Sequence, residues 1–151
     1  MKQFTMRLNR ANQRPIAILK EWHKFSAMID TGALYPVWVE DTKILDRLNA
    51  EKIDDEIRFG GFGGDAYGAI YKIPYFRFGE LIYPGLHIIA HRMHLPCQMI
   101  VSATMLQDMI YEIDDKNHRM NVTIPDDQSN VRNVRIRRED GLLKVLCSSG
   151  E

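Results

Sequence analysis

The stretch Ser26-Ala27-Met28-Ile29-Asp30-Thr31-Gly32-Ala33-Leu34 (SAMIDTGAL) sets one carboxylate directly behind a short apolar run and directly before a Thr-Gly pair. Asp-Thr-Gly is good turn chemistry, since Asp hydrogen-bonds its own backbone and glycine accepts tight approach. A solvated surface turn is one reading of it. The other is an acid presented at the end of a buried strand, and the apolar approach Phe25–Ile29 favours that second reading.

Working outward, Arg14–Leu19 reads as a strand, 20–24 (KEWHK) as a polar turn, and Phe25–Ile29 as a second strand that delivers Asp30 at its end. Residues 1–13 read as a polar, basic leader with no apolar run, which is not the pattern of a secretory signal. In 41–50 (DTKILDRLNA), Ile44, Leu45 and Leu48 recur at helical spacing, with Asp41 placed to cap. Residues 51–56 (EKIDDE) look like a charged connector. A glycine-dense tip follows at 57–65 (IRFGGFGGD), and then an aromatic strand over 67–78. Pro74 interrupts that strand and marks it as an edge or bent one, because proline removes a ladder donor.

Residues 86–95 and 97–101 read as further strands, and 103–113 as a helix with Met105, Leu106, Met109, Ile110 and Ile113 on one face. Ser102 or Thr104 is placed to cap it. The tail reads as three strands, RMNVTI from Arg119, VRNVRIRR from Val131 and LLKVLCS from Leu142. The expectation is an all-β chain with one or two short helices, forming a single domain over 1–151. Its core spans about 14–124, and 125–151 is a C-terminal β-hairpin extension.

The chain has 151 residues, 45% hydrophobic and 26% charged, with 20 basic against 20 acidic side chains. Zero formal charge gives no global pull toward nucleic acid or an anionic membrane, so neither is expected as a partner. No run is long and apolar enough for a membrane span. Cys97 and Cys147 stand outside any CxxC pair and read as reduced thiols, which points to a cytoplasmic setting.

In the order SAMIDTGA, then FGGFGG (59–64), then MIVSATML (99–106) followed by YEID (111–114), the chain resembles the retropepsin-like (retroviral-type) aspartic proteases over roughly residues 14 to 124. The resemblance implies a closed β fold of six to seven strands with a glycine-rich flap hairpin. In it, two identical chains each donate one Asp-Thr-Gly loop to a shared peptide-hydrolysing site. Elementary chemistry agrees with that arrangement. Two carboxylates in contact resist double ionisation and share one proton, so one serves as base while the other serves as acid. This chain has a single such loop, so a second Asp30 has to come from a symmetry mate.

By this resemblance Asp30, Thr31 and Gly32 are the catalytic residues. Asp30 polarises water, the Thr31 hydroxyl braces the partner loop, and Gly32 permits close backbone approach and, where needed, positive φ. Ala33, Leu34, Phe59, Gly60, Gly61, Phe62 and Gly63 are the expected substrate-binding residues. Tyr35 and Val37 are further guesses for subsite walls. Ala33 brings no hydroxyl to the acid, which implies a working range nearer neutral pH than pepsin's. Ser102 stands at or near the glycine the family commonly carries. The expected partners are a polypeptide substrate and a second copy of the chain, with no cofactor and no metal. The alternative is a catalytically silent module of the same fold that only dimerises or binds peptides.

Three other patterns compete for attention. Gly61–Ala66 formally fits G-x-G-x-x-A with Glu80 downstream, a dinucleotide signature that requires a helix to open at once. His87, His91, His94 and Cys97 have helix-compatible ligand spacing, but a strand would scatter them. Arg132, Arg135, Arg137 and Arg138 form a basic cluster that flanking acids turn into a solvated hairpin face.

Overall fold

The structure, a computed structural model, describes residues 1–11, 14–61 and 64–150. It is nearly all β. Among the described residues there are twelve strands: β1 (Lys2–Ala11), β2 (Arg14–Leu19), β3 (Phe25–Asp30), β4 (Val37–Trp38), β5 (Glu51–Gly61), β6 (Gly64–Phe78), β7 (Leu81–Ala90), β8 (Met99–Ser102), β9 (Ile110–Asp114), β10 (Arg119–Ile124), β11 (Arg132–Glu139) and β12 (Leu142–Ser149). One short helix, α1 (Lys43–Arg47), and one 3-10 turn (Thr104–Leu106) complete the elements. Ten strands form one sheet in the order β5-β6-β7-β4-β8-β3-β2-β1-β10-β9, and β11 and β12 pair as a separate hairpin.

The expected hairpin before Asp30 is present, with Ile16 opposite Met28 and Leu19 opposite Phe25. Trp22, in its turn, is buried, donates its indole N–H to the Tyr75 carbonyl at 3.0 Å, and meets Phe25 and Phe76 edge-on. The turn therefore serves as a core plug as well as a connection. On the other flank β3 pairs in parallel with β8, joining Ala27 to Met99 and Asp30 to Ser102. The main core gathers Leu19, Trp38, Phe76, Phe78, Leu81, Leu86 and Met105, among others, all nearly or wholly out of water. Full burial of side chains of this size stabilises by about 1.5–3 kcal/mol each.

Several expectations change. Residues 2–11 are strand β1 rather than a leader: Met6 and Leu8 face the core while Thr5, Arg7 and Asn9 face out. Glu51–Glu56 belongs to β5, whose ladder with β6 shifts register between Lys52 and Asp54 and again between Asp54 and Ile57. The strand expected at 86–95 runs instead from Leu81 to Ala90. Its ladder with β6 joins Ile73 to Leu86 and Tyr75 to Pro84, passing over Pro74 and over Gly85, which has φ +59°. Proline has no N–H to give there, and a left-handed glycine opposite absorbs the irregularity. β5 reaches only to Lys72 of β6, so Pro74 sits where β6 has lost that neighbour, as an edge reading requires.

The helix expected at 103–113 is absent. Its first part is the 3-10 turn, Asp108 takes φ +65°, and Ile110–Asp114 continues as β9. Met105, Leu106 and Met109 are buried as expected, but Ile110 and Ile113 are not. At α1 the Asp41 carboxylate accepts the Lys43 N–H at 2.8 Å, one residue ahead of the cap position at Thr42. The twelve strands exceed the six to seven the resemblance implied, and β1, β11 and β12 lie outside the span of about 14–124 that carries it.

Candidate active site

Asp30 is the last residue of β3 and is half-buried. Its carboxylate Oδ1 accepts the Gly32 N–H at 3.0 Å, and its carbonyl accepts the Ala33 N–H at 3.1 Å. These two bonds close a tight turn in which Thr31 and Leu34 are exposed. Gly32 does not use a left-handed φ. Its role is space: a Cβ there would stand 3.3 Å from Asp30 Oδ1, against the carboxylate it hydrogen-bonds.

The turn is fixed from one side by the segment that follows β8. The Ala103 N–H donates to the Ala33 carbonyl at 2.9 Å, and the Thr104 hydroxyl donates to the Leu34 carbonyl at 2.7 Å. Thr104 is therefore a brace for the Asp30 turn, not a helix cap. Ser102, in register with Asp30, is fully buried, and its hydroxyl has no hydrogen-bond partner among the described residues. A serine in place of glycine leaves the β3–β8 pairing intact. Beneath the brace, the buried Tyr83 hydroxyl donates to the Met105 carbonyl at 2.7 Å. Burial holds that phenol well above its ordinary range, which keeps it a donor.

Beyond Leu34 the chain forms a wall. Tyr35 packs with Ile57, Ile70, Ile89 and Ile136 and donates its hydroxyl to the Leu143 carbonyl at 3.2 Å. This contact joins the Asp30 segment to the base of the β5–β6 hairpin and to the C-terminal hairpin. Val37 does not line an open wall: it is buried with Ile16, Met28, Val39, Cys97 and Ile100.

Phe59, Gly60 and Gly61 end β5, opposite Ala66, Asp65 and Gly64 of β6, so the glycine-rich stretch is a hairpin as expected. Phe62 and Gly63 lie outside the described residues. The structure thus gathers Asp30, Thr31, Gly32, Ala33 and Leu34 into one turn and places 59–61 on a separate hairpin. Ala103, Thr104 and Tyr35 are the supporting residues that sequence reasoning assigned other parts or left as guesses. The only prior signal for Thr104 was its position just after an apolar strand.

The C-terminal hairpin is fastened across this wall. Arg135 donates to the Gly85 carbonyl at 2.8 Å, and Arg138 pairs with Asp54 of β5 at 3.0 Å. His87 Nδ1 lies 2.9 Å from the Ile136 nitrogen and 3.3 Å from the Ile136 carbonyl oxygen, so it accepts the Ile136 N–H when its proton is on Nε2 and donates to the Ile136 carbonyl when the ring is charged. Burial, with the cations Arg135 and Lys72 nearby, pushes His87 below its ordinary value against the opposing pull of the Ile136 backbone. Arg132 is buried, donates Nη2 to the Gln107 carbonyl, and lies 3.2 Å from Cys147 Sγ.

The competing patterns do not assemble. Gly64–Phe78 is a strand, so no helix opens behind the glycines. His87 is bound to β11, His91 Nδ1 lies 2.8 Å from the Tyr67 carbonyl, and among the described residues no three His, Cys, Asp or Glu gather to hold a metal ion. Cys97 and Cys147 are free thiols. No helix among the described residues is long and apolar enough to cross a membrane.

No family model matches the sequence, and no curated protein matches it. Among solved structures, the crystal structure of a retropepsin-like aspartic protease from Rickettsia conorii is similar, with a TM-score of 0.54 and 14% identity over 80% of this chain and 89% of that one. At that identity the likeness is one of architecture, and the fold of this chain is retropepsin-like.

Proposed function

We propose that the chain is one half of a homodimeric aspartic endopeptidase. The observation that carries this reading is the fixed position of Asp30. The acid ends a buried strand, and its turn is tied by Ala103 and Thr104 rather than left to solvent. A solvated turn has no use for such bracing, and a retropepsin-like fold supplies the context for it.

Two Asp30 carboxylates brought together across a two-fold axis share one proton. The ionised one draws a proton from a bound water, whose oxygen adds to the peptide carbonyl carbon. The protonated one donates to the carbonyl oxygen. Collapse of the tetrahedral adduct breaks the C–N bond as a proton passes to the leaving nitrogen, with no covalent enzyme intermediate. Thr31, exposed on the turn, braces the partner loop, and Gly32 leaves room for the approach. An extended substrate adds backbone hydrogen bonds beneath the hairpin bearing Phe59, Gly60, Gly61, Phe62 and Gly63, while Ala33 and Leu34 border the adjoining subsites.

The test is cleavage of a mixed peptide library by wild type and by Asp30→Asn. Wild type should cut, and the variant should lose about 10³-fold or more. Equal, negligible cleavage by both, with the dimer intact, would leave the silent binding module as the better account.

A further inference from the structure

The Asp30 turn holds an unpaired acceptor and an unpaired donor on neighbouring strands. Asp30 Oδ1 takes the Gly32 N–H, but among the described residues no donor reaches its Oδ2. Ser102 is wholly buried, and its hydroxyl has no partner among the described residues. A buried hydroxyl without a partner is uncommon and costs stability, so it calls for a physical reason.

The register puts both groups on one face. β3 and β8 run parallel, with Met28 beside Ile100 and Asp30 beside Ser102. Met28 and Ile100 belong to one apolar cluster with Ile16, Val37 and Cys97, whereas Ile29 and Val101 face the main core. Side chains alternate along a strand, so Asp30 and Ser102 lie on the Met28–Ile100 face, one strand apart. Neighbouring strands are separated by about 4.8 Å, a gap that an aspartate carboxylate and a serine hydroxyl bridge between them. The serine oxygen swings about a single torsion, so pairing requires no movement of the backbone.

Ala33, which follows Gly32, carries no hydroxyl of its own. We infer that Ser102 supplies the missing donor from the adjacent strand: its hydroxyl turns to Asp30 Oδ2 and donates to the ionised carboxylate. Ser102 is thereby a positioning residue for the acid, in a place where glycine would offer no donor. This deepens the reading of Asp30 as a catalytic acid and rests on it.

A donor to the charged form favours that form over the neutral one. Few other groups compete for this effect. The Cys97 thiol is buried on the same face and pushed up by burial, and the charges of Arg14 and Glu40, both exposed, act on it. None of the three bonds to Asp30, and all three stay in place when Ser102 is changed.

The test follows the Asp30 carboxyl carbon by NMR through an acid titration of the full chain. Wild type, Ser102→Ala, Ser102→Gly and Ser102→Thr are compared, with thermal melting as the folding control. Ser102→Ala and Ser102→Gly should each move the Asp30 transition to higher pH by about one unit. Ser102→Thr keeps a hydroxyl and should hold the transition near its wild-type position. An unmoved transition in folded Ser102→Ala and Ser102→Gly overturns the inference. So does an equal shift in all three variants, which altered packing alone would produce. Peptide cleavage is scored separately. Asp30-dependent cleavage with the same acid limb in wild type and Ser102→Ala defeats the inference and spares the protease reading. A hydroxyl-dependent shift of the Asp30 transition in a chain that cuts no peptide does the reverse.

Discussion

In the turn after β3, neutral groups brace the chain from outside: the Ala103 amide on the Ala33 carbonyl and the Thr104 hydroxyl on the Leu34 carbonyl, the last from a buried residue. In the C-terminal hairpin the fastenings to the body include a half-buried histidine, two arginines and a tyrosine hydroxyl. Both segments border the same wall at Tyr35, yet they should answer to different variables. Buried neutral hydrogen bonds are little affected by salt and do not titrate, whereas exposed ion pairs are screened and a histidine changes charge within the physiological range. The turn that carries the acid is thus braced by bonds indifferent to the medium, and the outer support is held by bonds that respond to it.

The sharpest way to break that contrast is Thr104→Val. It removes the donor to the Leu34 carbonyl while nearly conserving volume, leaving a partly buried acceptor unsatisfied at a cost of about 1–3 kcal/mol. Melting temperature should fall, and if the turn positions Asp30 for chemistry, peptide turnover should fall about tenfold as well. Unchanged turnover in a variant with a lowered melting point would make Thr104 a purely structural brace.

His87 gives the next effect. Its folded-state value lies below its unfolded one, so below about pH 6.5 the unfolded chain binds more protons. The stabilisation is complete above the unfolded value and is lost as pH falls toward the folded one. Melting temperature should therefore decline on acidification through this window. His87→Gln, which can still accept the Ile136 N–H but does not titrate, should flatten the decline; an identical slope in both proteins would clear His87 of the effect.

The smallest effect belongs to Arg138→Ala, which removes an exposed pair with Asp54. A loss of about 0.5 kcal/mol at low salt, vanishing in 1 M salt, is expected from denaturant midpoints.

Much of this was readable in the residues. The β2–β3 hairpin and strands β10, β11 and β12 each show the alternation or turn chemistry that defines them, and their bounds lie within a residue or so of expectation. β1 carried a signal too, since Phe4, Met6 and Leu8 alternate with Thr5, Arg7 and Asn9, but its basic and polar residues masked it. β5 was hidden for a physical reason: an edge strand protected by charges looks like a connector. The helix expected at 103–113 failed because burial at 105, 106 and 109 combines with the exposed Ile110 and Ile113 of β9 to imitate one helical face. The Asp30 turn could be named from its local sequence, whereas its bracing by Ala103 and Thr104 could not, because that contact joins distant segments.

The parallel pairing of β3 with β8 also bears on how the chain folds. Everything from the Asp30 turn through the whole β5–β6–β7 meander lies between the two paired segments, so the ends of a long loop must meet before Asp30 and Ser102 can come into register. Such closure is entropically costly and slow relative to hairpin formation. The β2–β3 hairpin can form early from neighbouring residues, but without Met99–Thr104 its acid is only a loose strand end. A chain still being synthesised, or only partly folded, holds no positioned carboxylate, and any activity that depends on Asp30 stays latent until nearly the whole core has assembled.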